Sequence, residues 1–97
     1  MDCWDGPDGR PTVTHGGTLC GHVAARDVIA AIAEHAFARG GSPYPVIVSL
    51  EMHCSEGQQR RLAADFVEVL GDALYARRLP VERGAWPSPL ATISMVT

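Results

Sequence analysis

Two strands' worth of residues in this sequence end in groups that can do chemistry. A Glu-Met-His triplet at positions 51–53 closes the apolar run PVIVSLEMH, and an aspartate stands at position 2 in MDCWDGPDG. A glutamate and a histidine projecting together, Glu51 and His53, can bind a cation or move protons. An acid at a strand end is also often merely solvated, and from spacing alone that simpler reading is favoured. A second set is built on sulfur and nitrogen: Cys20, His22, His53 and Cys54. A CxH pair followed by an adjacent HC pair is a poor match to the usual zinc spacing. Asp5 and Asp8 read as acids that solvate a turn, because their spacing does not fit an EF-hand loop. His35 reads as structural, and Arg60 and Arg61 as a solvated helix start. Trp4 reads as packing beneath the loop. No strand-GxxxxGK[ST]-helix context supports a nucleotide cradle.

The elements that must position these groups can be read from periodicity. Residues 6–11, GPDGRP, are dense in turn formers and separate two extended pieces, Met1–Trp4 and Thr12–Thr14. Gly16 and Gly17 open another loop. From Ala25 to Arg39 the pattern is helical. Val28, Ile32 and Ala36 share a stripe, beside Ile29, Ala33 and Phe37. Gly40-Gly41 ends that helix, and the prolines of SPYP set a rigid lead-in. Val46 to Leu50 is rich in β-branched residues, as expected of a strand buried on both faces of a parallel sheet. If the strand continues, Ser49, Glu51 and His53 share one face and Val46, Val48 and Leu50 face the helices. Ser55 and Gln58 have capping-box spacing. The helix they open buries Leu62, Phe66, Val69, Leu70 and Ala73 and is expected to reach Tyr75 or Arg77. This is α/β grammar, in which chemistry gathers at the C-terminal ends of strands. Asp2 and Glu51 both lie near such ends.

Composition narrows the function classes. Ninety-seven residues allow one small domain, and 46% apolar residues exclude disorder by composition. A net charge of -3 with only 8 Lys+Arg argues against nucleic acid as a partner. The 3 cysteines form no CxxC pair and read as reduced thiols of a cytosolic protein. No apolar run approaches a membrane span and no signal peptide is visible, so any membrane contact is expected to be peripheral.

Several uncommon words occur in a fixed order: DCWDGPDGRPTVTHGGTL, RDVIAAIAEHAF, SPYPVIVSLEMHCSEGQQ and LGDAL. In this order they resemble the catalytic X region of eukaryotic phosphoinositide-specific phospholipase C, most of all the delta- or eta-type enzymes. The resemblance covers residues 1–76, with PSP at Pro87–Pro89 as a further echo; residues 77–97 otherwise read as a divergent C-terminal tail. It implies an α/β fold, a partial TIM-like barrel made from the first half of the barrel, with two or three strands and two helices here. A separate Y region supplies the other half. The implied reaction is calcium-dependent hydrolysis of phosphatidylinositol 4,5-bisphosphate to inositol 1,4,5-trisphosphate and diacylglycerol. The inositol 2-hydroxyl attacks phosphorus, and water then opens the cyclic phosphodiester.

By the same resemblance, Asp2 and Glu51 match calcium ligands. His15, in Thr-His-Gly, matches the second catalytic histidine, the general acid toward the diacylglycerol leaving group. An imidazole suits that task because it ordinarily titrates near cytosolic pH. The implied partners are a phosphoinositide headgroup at a membrane surface and the absent Y-region half. The implied location is the cytoplasm, peripheral at the membrane.

Departures from the family pattern matter too. The first catalytic histidine, an asparagine ligand and a glutamate that is ligand and base would all precede Met1. Met52 stands where the family usually has asparagine, and the substrate-phosphate lysines have no counterpart. The resemblance therefore implies a fragment with little or no activity alone. The alternatives are a non-catalytic X-region remnant acting as an interaction module, or a small zinc-binding domain.

Overall fold

A computed structural model describes residues 1–15, 21–38, 40 and 43–75, and the backbone of 91–96. The expected extended pieces are β1 (Asp2–Trp4) and β2 (Thr12–Val13), joined through a short 3-10 turn at Pro7–Gly9. A two-residue strand, β3 (Val23–Ala24), runs directly into α1 (Ala25–His35). Strand β4 (Ile47–His53) leads to α2 (Glu56–Leu70), and two further strands follow, β5 (Leu74–Tyr75) and β6 (Ala91–Val96).

The six strands form one sheet in the order β3-β2-β1-β4-β6-β5. β1, β4, β6 and β5 run parallel to one another, while β2 and β3 add antiparallel pairs at the β1 edge. The sequence led to an expectation of two or three strands. The difference has a physical origin. β3 and β5 are two residues long and exist through pairing to a neighbour, which leaves no periodic signature. β6 draws on residues 91–96, inside the stretch expected to be a divergent tail, and lies parallel between β4 and β5.

β4 alternates as its side-chain period predicts, but it is not buried on both faces as its β-branched run suggested, because the two helices cover only one face. Val48 and Leu50 are buried, while Ile47, Ser49, Glu51 and His53 are exposed. The buried set joins Cys3 of β1 with Ala25 and Ile29 of α1 and Leu62, Phe66 and Leu70 of α2 in one core. Each fully buried large aliphatic or aromatic side chain there contributes about 1.5–3 kcal/mol. Both helices thus cover one sheet face, and the other face carries the polar groups of β4.

Both helices stop sooner than periodicity suggested. α1 ends at His35, with Ala36 closing its last turn, and Gly40 then takes a φ of 81°. α2 ends at Leu70 because Gly71 adopts φ 50° and ψ -124°, a conformation glycine reaches without the strain of a Cβ. The helices are tied together by Asp65, which is almost wholly buried. Its Oδ1 accepts from Arg26 Nη1 of α1 at 2.6 Å and from Arg61 Nη2 at 2.7 Å. Arg61 is thus one of two cations that neutralise a buried carboxylate, rather than a merely solvated helix-start residue, whereas Arg60 pairs with Glu56 on the surface.

The capping-box expectation is also revised. Ser55 is the N-cap of α2, but its side chain does not cap the helix. Instead the Ser55 hydroxyl and backbone N–H both donate to Asp5 Oδ1, at 3.0 and 2.8 Å. Gln58 reaches the same loop. Its Nε2 donates to Gly6 O, and its Oε1 accepts from Gly6 N–H, both at 2.9 Å. Asp5 therefore does more than solvate a turn: with Gln58 it fastens the β1–β2 loop to the start of α2.

Candidate active site

Register brings the two candidate acids together. β1 and β4 pair in parallel, with Asp2 opposite Glu51 and Trp4 opposite His53. Paired residues of neighbouring strands point to the same face. Asp2, Trp4, Glu51 and His53 therefore form a two-by-two ladder on the face away from the helices, ending at the C-terminal ends of both strands. The backbone fixes this level firmly: Glu51 N–H donates to Met1 O at 2.9 Å.

His15 enters the ladder from beyond β2. Its Nδ1 lies 3.0 Å from Asp2 Oδ2. The antiparallel β1–β2 pairing aligns this approach, with Thr14 N–H donating to Asp2 O at 3.2 Å. The hydrogen bond from His15 is the main cause holding the Asp2 carboxyl below its usual range; burial opposes it, and the Glu51 side chain adds to the lowering. The stability that comes with this depressed carboxyl is present above the ordinary carboxylate value and is lost as pH falls through the lowered one.

The structure thus brings Asp2, Glu51 and His15 into one cluster. It also keeps His53 beside Glu51, as strand alternation suggested, and adds Trp4, to which the sequence reading gave no part in it. Trp4 stacks on His53 with ring centroids 4.1 Å apart and planes 13° from parallel. His53 Nε2 lies 3.7 Å from Glu51 Oε2. The available signal was spacing: each ring stands two residues past a candidate acid, on the same face. It becomes informative only once the two strands are known to be neighbours.

As a donor set, Asp2 and Glu51 suit a hard cation. Both offer carboxylate oxygen, and adjacent parallel strands place them side by side. Calcium takes 6–8 oxygen ligands, so the pair fits as part of a calcium shell. Among the described residues no group of three or more His, Cys, Asp or Glu side chains could hold a metal.

The zinc quartet finds no support. Cys20 lies outside the described residues. Cys54 is buried while His53 is exposed. Desolvation pushes the Cys54 thiol up to about 11, the reverse of what a zinc thiolate needs. Cys3, also buried, is raised for the same reason. Cys54 is therefore expected to resist iodoacetamide in the folded chain at pH 7.5 and to react in urea, with a thiolate fraction about 100-fold lower in the folded chain. Mass-spectrometric mapping of alkylated peptides checks this; equal labelling in both states would contradict it.

Comparison with known proteins was decisive for kinship. Residues 1–95 match the family described as phosphatidylinositol-specific phospholipase C, X domain. The chain belongs to this family. It is 47% identical over 89 residues to the rat 1-phosphatidylinositol 4,5-bisphosphate phosphodiesterase gamma-2, covering 92% of this chain and 7% of that protein. It is 48% identical over 79 residues to the mouse delta-3 enzyme, covering 81% of this chain and 10% of the relative. Gamma- and delta-type relatives thus match this X domain at nearly equal identity. Among solved structures it resembles PLC21 of S. officinalis, with a TM-score of 0.79 and 43% identity over 98% of this chain and 13% of that one. No described helix of the X domain is long and apolar enough to cross a membrane.

Proposed function

We propose that this chain forms part of a calcium-dependent phosphodiesterase site acting on phosphatidylinositol 4,5-bisphosphate, with Asp2 and Glu51 as calcium ligands and His15 as general acid. The observation that carries this reading is the meeting of Asp2, Glu51 and His15 at the ends of adjacent parallel strands, at positions matching the family's motifs. A bound calcium ion supplies Lewis acidity, favouring ionisation of the inositol 2-hydroxyl and offsetting phosphoryl charge. Asp2 and Glu51 would hold that ion at the strand ends, beside the place where the phosphoryl group reacts. When the 2-hydroxyl attacks phosphorus, it gives up its proton to a base that the described residues do not supply, the bond to the diacylglycerol oxygen breaks, and that oxygen takes a proton from His15, whose ring is oriented through Nδ1 by Asp2. Water then opens the cyclic phosphodiester.

In this reading the parallel strands are part of the first half of a TIM-like barrel. The Y-region half packs onto the same barrel, and the complex works in the cytoplasm against the surface of a membrane. The polar sheet face bearing Glu51 and His53 fits a barrel interior, where the C-terminal strand ends carry the chemistry.

The test is a chimera in which residues 1–95 replace the matching stretch of the rat gamma-2 phosphodiesterase. It is expected to release inositol trisphosphate in a calcium-dependent manner, and Glu51→Gln is expected to lower that turnover by roughly 100-fold or more, the scale of a lost catalytic-metal contribution. Activity untouched by Glu51→Gln would refute the assignment. A folded but inactive chimera would favour the interaction-module reading instead.

A further inference from the structure

We propose that the Trp4–His53 stack is a positioning device for the Glu51 carboxylate. This inference rests on the reading of Glu51 as a cation ligand. Glu51 stands on an exposed stretch of β4, with its side chain 64% exposed. A glutamate so placed has three rotatable bonds and loses much of its freedom when it must ligate. Two neighbours limit it. Asp2 faces it across the strands, and His53 Nε2 stands 3.7 Å from its Oε2 along the strand. That separation is longer than a hydrogen bond, so its effect depends on where the imidazole is held.

Trp4 holds it. The two rings come from paired positions on β1 and β4, and their near-parallel stacking fixes the imidazole plane from the neighbouring strand. Among the described residues, the buried Nε1 of Trp4 has no hydrogen-bond partner. A buried indole N–H without an acceptor is a cost. It indicates that the indole occupies this place for its ring surface. A chain of contact therefore runs from Trp4 to His53 to Glu51, parallel to the one from His15 to Asp2. Each acid has a histidine at its side, and the Glu51 histidine is clamped by an aromatic ring. Residues that orient a ligand commonly change metal affinity by 10–100-fold when removed.

The experiment is a titration of the full 97-residue chain with calcium chloride alone, followed by amide chemical shifts, which report affinity and folding together. His53→Ala is expected to weaken calcium binding by about 10-fold. Trp4→Leu is expected to weaken it similarly, and Trp4→Phe, which restores a stacking ring, to recover most of the loss. A purely structural role for Trp4 would not show this recovery at equal foldedness. If Glu51→Gln abolishes binding while His53→Ala and Trp4→Leu leave it within twofold, the positioning role is wrong and the ligand reading stands. If Glu51→Gln leaves binding intact, or the chain binds no calcium at all, the ligand reading fails and the proposal falls with it.

Discussion

His15→Gln in the gamma-2 chimera is expected to slow release of inositol trisphosphate by about 100- to 10,000-fold, the range for a positioned general acid. Glutamine keeps a hydrogen-bonding group beside Asp2 but cannot deliver a proton at neutral pH. The loss should fall on kcat, because the proton is needed in the transition state and not for holding the lipid. A substrate whose leaving group needs no proton should be cleaved at nearly the unmodified rate, which separates acid catalysis from damage to the site. Steady-state kinetics on both substrates provides the check. An equal loss on the two would indicate that His15 acts only by holding Asp2, to which it lies at 3.0 Å.

Gly6→Ala is the second large effect, and it concerns stability. A Cβ at Gly6 would lie 2.1 Å from the Arg10 carbonyl oxygen and 2.6 Å from Thr12 Cγ2. The first of these is backbone and cannot rotate away. The residue cannot drift either, since Gln58 binds both its N–H and its carbonyl. Forcing a methyl group into such a place costs about 1–3 kcal/mol, and breaking the Gln58 clasp adds about 0.5–1.5 kcal/mol for each of its hydrogen bonds. Gly57→Ala is the matched control. Its Cβ would meet nothing within 4 Å, and it lies in a helix, where alanine is favoured by about 1 kcal/mol. Urea unfolding of the three chains should therefore move the midpoint down for the first and slightly up for the second. A Gly6→Ala chain as stable as the parent would show that the β1–β2 loop is not fastened as described.

Much of the scaffold was legible because its signals are local. β4 announces itself through Val46, Val48 and Leu50, and the alternation that exposes Glu51 and His53 follows from strand geometry alone. α1 and α2 show their buried faces at Ile29 and at Leu62, Phe66 and Leu70. What was not legible depends on partners distant in sequence. Ser55 and Gln58 have the spacing of a capping box, yet they bind Asp5 and Gly6, about 50 residues away. Arg61 and Asp65 are an ordinary helical pair until Arg26 arrives from the other helix. β3 and β5 are too short to carry a period.

The candidate site divides in the same way. Asp2, His15 and Glu51 could be nominated because they stand within uncommon words whose order resembles the phospholipase C X region, and their roles were implied by that resemblance alone. Their mutual placement needed the parallel register of β1 and β4. Trp4 and His53 were visible as residues but not as a pair, for the same reason. Register is a long-range property, and no residue type in either strand encodes it alone.

The central claim is that Asp2 and Glu51 supply ligands to one divalent cation, with His15 close beside it. Paramagnetic broadening by substoichiometric Mn²⁺ in the amide spectrum of the 97-residue chain tests it without relying on turnover. The account predicts that signals of Asp2, His15 and Glu51 and their immediate neighbours fade first, and that Asp2→Asn or Glu51→Gln removes the effect. Broadening centred elsewhere, or spread evenly over the acidic surface and indifferent to both substitutions, would contradict it.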